Sequence, residues 1–204
     1  PFLNSLSSFI IKLTPSQNEG QKDQIHLVLL GNPKDTLPAT AIIQSQEQLK
    51  KFKEILDSMF EMTKKYLLER PGDTKLYGKI KDYEAISDNI QKEVTLFLCK
   101  VMERPLSPEQ STHIQALVRI AAELESVADY LERLVDYHKR LEQNILNNAE
   151  IKDEFKGFYD VVSDYFKFST YKFFDDYSFD LTLCTRKSEK IWIHAESIRE
   201  KHTL

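Results

Sequence analysis

The chain has 204 residues, a formal net charge of −4, 41% apolar residues, and only 5 glycines and 7 prolines. That is enough apolar material for one packed domain or two small ones, and it excludes an intrinsically disordered chain and a globally basic nucleic-acid binder. Cys99 and Cys184 lie far apart in apolar helical contexts without metal or redox spacing, so both read as buried, reduced thiols.

The chain opens on Pro1 and reads as a piece of something longer or as a processed product. Phe2, Leu3, Leu6, Phe9, Ile10 and Leu13 form an amphipathic helical pattern, too short for a bilayer, which needs about 20 apolar residues. A soluble helix fits it better than one lying on a membrane surface. A polar linker follows Pro15. Gly31, Pro33 and Pro38 then break the segment that begins IHLVLL, which reads as buried extended chain.

From Thr40 the periodicity is helical. A first helix is predicted from Thr40 to Glu69, stopping at the breaker RPGD, and a second from Thr74 to Met102. Ser107, Pro108 and Gln110 form a capping-box start for a third helix, predicted to reach Asn147. Its apolar stripe is Leu117, Ile120, Leu124, Ala128, Leu131, Val135 and Leu141. A fourth helix, Lys152 to Asp175, carries Phe155, Phe158, Tyr165, Phe166 and Phe173, aromatics assigned to the core. A fifth, from Ser178 to the end, has the stripe Leu181, Cys184, Ser188, Ile191, Ala195 and Ile198. Short connections make these antiparallel neighbours, so the predicted fold is an all-α, antiparallel helical bundle.

The acids carry the functional signal. On the third helix Glu125, Asp129, Glu132 and Asp136 recur at helical spacing, although like charges at i,i+4 repel. Relative to the apolar stripe, Glu125 and Asp129 sit about 100° and 140° away, and on the second helix Glu84 and Asp88 take the same two angles. Two Glu-x3-Asp pairs on matching flanks of adjacent helices suit a hard cation. A solvated flank is the competing reading, because Asp129–Arg133 and Asp136–Arg140 supply neutralisation at i,i+4. Glu132 and Asp136 find no acid on the second helix, where Gln91 and Thr95 take the matching positions. There is no Glu-x-x-His, no Gly-rich phosphate loop and no Ser/His/Asp nucleophile context, so no enzyme is expected. His138 is the most plausible site if the chain were instead a phosphotransfer domain.

The fifth helix repeats the second weakly: Glu189 follows Ser188 as Glu84 follows Tyr83, about 105 residues later, but Ile193 replaces the second acid. With EAISD on the second helix, LESVAD on the third and this degenerate repeat, the chain resembles a PhoU domain. Ser126 stands where the family's third-helix motif has Arg. The stretch TLPATAIIQSQEQLKKFKEIL resembles the segment joining membrane and PhoU portions of bacterial sodium/phosphate cotransporters, PFLNSLSSFIIKLTP resembles the end of the membrane portion, and SIREKHTL resembles the family's fifth-helix ending.

The resemblance implies PhoU-like three-helix repeats, the second incomplete. Residues 1–24 would be the end of the membrane portion and a linker, 25–148 the first repeat with its leading extended segment, and 149–204 two helices of the second. It implies a cytoplasmic regulatory domain of a sodium-dependent phosphate transporter, at the cytoplasmic face of the inner (plasma) membrane. The partner would be the transporter's own membrane domain. It also implies metal, iron, zinc or magnesium, at Glu84, Asp88, Glu125 and Asp129. The alternative is a free-standing signalling adaptor that regulates phosphate uptake through contacts with a sensor kinase. An uncovered fifth-helix stripe would favour a homo-oligomer.

Overall fold

The computed structural model describes residues 32–140, 148–176 and 180–202. The N-terminal amphipathic pattern, the IHLVLL segment and the predicted end of the third helix beyond Arg140 lie outside these residues. Among the described residues five helices follow one another, with no strand: α1 Pro38–Leu68, α2 Thr74–Met102, α3 Pro108–Arg140, α4 Ala149–Tyr171 and α5 Leu181–His202. A π-helical turn, Lys172–Asp176, extends α4. The all-α bundle expected from the periodicity is the fold observed.

Local signals fix the helix ends. Pro38 at the first turn of α1 costs nothing there, because its missing N–H has no intrahelical partner. Between α1 and α2, Asp73 N–H donates to Arg70 O across Pro71 and Gly72, and Gly72 has φ +83, which favours a residue without Cβ. The Asp73 carboxylate then accepts from the N–H groups of Lys75 and Leu76. At α3, Gln110 N–H donates to Ser107 Oγ while Ser107 N–H donates to Gln110 Oε1, the reciprocal capping box expected there.

α1, α2 and α3 pack on one another and form the main core. The contacts Ser87–Met59 and Tyr66–Tyr77 run α2 against α1, whereas Gln46–His113 and Tyr66–His138 run α3 alongside α1 in the same direction. Leu49, Phe52, Leu56 and Met59 of α1, Ile90, Val94 and Leu98 of α2, and Leu117, Leu124 and Leu131 of α3 fill the centre. α4 lies antiparallel on α1. Tyr159 Oη donates to Phe60 O at 2.8 Å, Phe166 stacks on Phe60, and Lys64–Asp160, Lys167–Glu61 and Lys50–Asp175 pair along the edges. α5 packs chiefly on α4, through Phe158–His194, Lys187 over Phe168, and Lys201–Glu154.

Three burial expectations are corrected. Cys99 is exposed and only Cys184 is buried, because Leu98, one residue earlier, takes the core position on α2. Among the α4 aromatics Phe166 is buried, but Phe173 is exposed. The π turn places Phe174 inward instead, and Tyr159 joins Phe166 in anchoring α4 to α1. Leu181, the first residue of α5, is exposed.

Candidate functional site

The flank where α2 faces α3 is built by antiparallel register. Moving toward the N-terminus along α2, the residues are Asp88, Glu84, Lys81 and Tyr77. Moving toward the C-terminus along α3, they are Glu125, Asp129, Glu132 and Asp136. Polar contacts connect the two series. Tyr77 Oη donates to Asp136 Oδ1 at 2.9 Å, and Lys81 Nζ donates to Glu132 Oε1 at 2.6 Å and to Asp136 Oδ2 at 2.9 Å. The lower acids do have partners on α2. They lie upstream at Lys81 and Tyr77, not downstream at Gln91 and Thr95, because facing helices run in opposite directions. Asp136 is therefore held across the seam, while the Arg140 guanidinium rests against the Tyr137 ring.

Burial works against the Lys81 charge, but its hydrogen bonds to Glu132 and Asp136 and their negative charge outweigh it and hold its pKa well above the ordinary lysine value. For Asp136, burial likewise raises the pKa, and hydrogen bonds from Lys81 and Tyr77 outweigh it, so the carboxyl titrates below its usual range. The network thus adds stability above the ordinary aspartate value near 3.9. That contribution fades as pH falls through the depressed Asp136 value, and on the alkaline side as pH rises through the raised Lys81 value.

The upper acids differ. Asp88 pairs with Lys92 and Asp129 pairs with Arg133 at 2.6 Å, each on its own helix. Glu84 and Glu125 carry no salt bridge among the described residues, and both are half-buried. Burial raises the Glu84 pKa, and the charges of Glu132, Asp88 and Asp129 raise it further; burial and then Asp129 and Asp88 do the same to Glu125. These cross-helix influences bring Glu84, Asp88, Glu125 and Asp129 into one electrostatic neighbourhood, as the matched flanks suggest. A carboxyl with a raised folded pKa costs the fold stability as pH rises above the ordinary glutamate range. A cation at this end of the flank would relieve that cost.

Among the described residues, no group of three or more His, Cys, Asp or Glu side chains converges as a metal-holding cluster. The donor set is all carboxylate, which suits a hard cation in its chemistry. Asp88 and Asp129, however, turn to the cations of their own helices. His138 packs edge-on against Tyr66, half-buried, and burial lowers its pKa.

All four acids, and the whole α2–α3 seam from Tyr77 to Asp136, lie in a segment that matches a known family model. Residues 49–137 are a PhoU domain. The match runs from Leu49 of α1 through α2 to Tyr137 of α3, and α4 and α5 lie outside it. The PhoU domain points to a regulatory role in phosphate homeostasis. No curated protein and no solved structure matches the chain. No described helix is long and apolar enough to cross a membrane.

The sequence pattern found the acids and missed Lys81. The available signal was the antiparallel register itself: one turn upstream of Glu84 stands a lysine, where the acids of α3 continue for two more turns.

Proposed function

We propose that this PhoU domain is the cytoplasmic regulatory part of a sodium-dependent phosphate transporter, and that a hard divalent cation on the α2–α3 flank is its input. The observation that carries this reading is the pair Glu84 and Glu125, half-buried, raised in pKa by burial and by carboxylates on the facing helix, and without a salt bridge among the described residues. Glu84 and Glu125 would hold the cation, and Asp88 and Asp129 would join by leaving Lys92 and Arg133. An all-oxygen donor set suits magnesium or iron better than zinc. The start of α1 at Pro38, within the stretch that resembles a cotransporter's membrane-to-PhoU junction, supports the transporter setting. α1 packs on both α2 and α3, so repacking of the flank would reach the segment that precedes α1.

Elemental analysis after exposure to magnesium and to ferrous iron tests the input. Bound metal is expected in the wild type and is lost in Glu125→Ala and Asp129→Ala; no metal in any of them contradicts the cation reading. Phosphate uptake by cells carrying the full-length transporter tests the output. Glu84→Gln with Glu125→Gln is expected to change the uptake rate, and uptake identical to wild type contradicts the regulatory role.

A further inference from the structure

α3 buries one side in the core through Leu117, Leu124, Ala128, Leu131 and Val135, and turns its acids toward α2. A third side faces outward and carries the exposed Arg119, Glu123, Tyr130, Arg133 and Tyr137, with the half-buried Ser126 between them. Tyr130 is 67% exposed and Tyr137 59%. The side chains of Arg119, Glu123 and Arg133 are exposed as well. Glu123, Tyr130 and Tyr137 recur every seven residues, as do Arg119, Ser126 and Arg133, so the surface keeps one direction over two turns or more. The Arg133 guanidinium lies over the Tyr130 ring, 5.8 Å from its centroid. Exposed tyrosines beside arginines have the composition of interface hot spots, not of an ordinary wet face.

We propose that this face is where two copies of the chain associate, α3 against α3, antiparallel about a two-fold axis. The charge pattern selects that occupant. In the antiparallel register that sets Glu123 against Arg133 of a second copy, Ser126 falls opposite Tyr130 and Arg119 opposite Tyr137. Opposite charges meet, a large side chain meets a small one, and a guanidinium meets a ring, each twice by symmetry. A parallel pairing in register would instead set Tyr130 on Tyr130 and Arg133 on Arg133. The intrahelical Arg119–Glu123 contact is long, at 3.8 Å, and leaves Glu123 open to a second partner. One helix pair is a small interface, so the dimer is weak and reversible.

Sedimentation equilibrium of the whole chain over a wide concentration range tests this, with circular dichroism to verify that each variant keeps its helix content. The wild type is expected to show a monomer–dimer equilibrium. Glu123→Arg sets like charges together at two symmetric positions and is expected to weaken the dimer about tenfold. Adding Arg133→Glu to Glu123→Arg restores opposite charges and is expected to bring back the wild-type constant. Tyr130→Ala with Tyr137→Ala is expected to abolish association. A monomer at every concentration overturns the proposal. So does a dimer indifferent to the charge reversals, including one lost on Trp192→Ser, which would place the contact on the exposed face of α5.

Discussion

Replacing Lys81 with methionine is expected to destabilise the bundle by about 2 kcal/mol at neutral pH, well above the ordinary value for a surface ion pair. Exposed pairs are worth roughly 0.2–1 kcal/mol, whereas removing one partner of a buried pair costs roughly 3–5 kcal/mol. The Lys81 network lies between these limits: the Glu132 and Asp136 side chains are 17% and 22% exposed, that of Lys81 34%. Methionine keeps much of the stem packing and deletes the ammonium. Glu132 then faces the already raised Glu84 without the Lys81 ammonium that offsets the two charges. The loss is expected to shrink in strongly acid solution, as pH falls through the depressed Asp136 value and that carboxylate no longer needs the ammonium. Urea unfolding of wild type and Lys81→Met at both pH values measures it. An equal loss at both would mean that Lys81 acts through its stem alone.

The second large effect is expected at Tyr159. Its side chain is 6% exposed, meets the Phe60 ring edge-on with centroids 6.0 Å apart, and donates its hydroxyl to Phe60 O. Tyr159→Ala removes ring and hydrogen bond together and is expected to cost about 3–5 kcal/mol, the range for large-to-small aromatic truncations. That cost falls on the attachment of α4 to α1. Hydrogen exchange should therefore accelerate throughout α4 and α5 while the centre of α1, α2 and α3 stays protected. Tyr159→Phe keeps the ring and is expected to cost only about 1 kcal/mol. Uniform acceleration across all five helices would contradict a bundle in which α4 and α5 are held mainly through α1.

How much of this was legible in the sequence follows from the physics of each feature. Helix positions were, because apolar period, the Pro-Gly turn and the Ser107 capping box are local properties of the chain. The Thr74–Met102 helix is found at its predicted bounds. The candidate site was legible to the level of a helix face: Glu84, Asp88, Glu125 and Asp129 do share the α2–α3 flank. The pairing across that flank was not, since it depends on the register of two helices that share no local signal. Taken in the same direction, the two sequences set Gln91 and Thr95 against Glu132 and Asp136; antiparallel packing replaces them with Lys81 and Tyr77. Burial on α4 was legible only in part. Tyr159 and Phe158 are adjacent aromatics, and which of them faces α1 is decided by where α4 docks. The exposed Cys99 has the same origin, one position beyond the helix face that the core selects.

The α2–α3 seam of acids is divided in two, one half neutralised by Lys81 and the other left to its own repulsion. Carboxyl carbon NMR of the titrating protein, in the absence of added metal, reads this directly at single residues. Glu84 and Glu125 are expected to titrate above the ordinary glutamate range and Asp136 below the ordinary aspartate range. Adding magnesium should then lower the two glutamates and leave Asp136 where it was. Glu84 and Glu125 titrating at ordinary values, unmoved by magnesium, would contradict the division of the seam and the cation site proposed for its upper half.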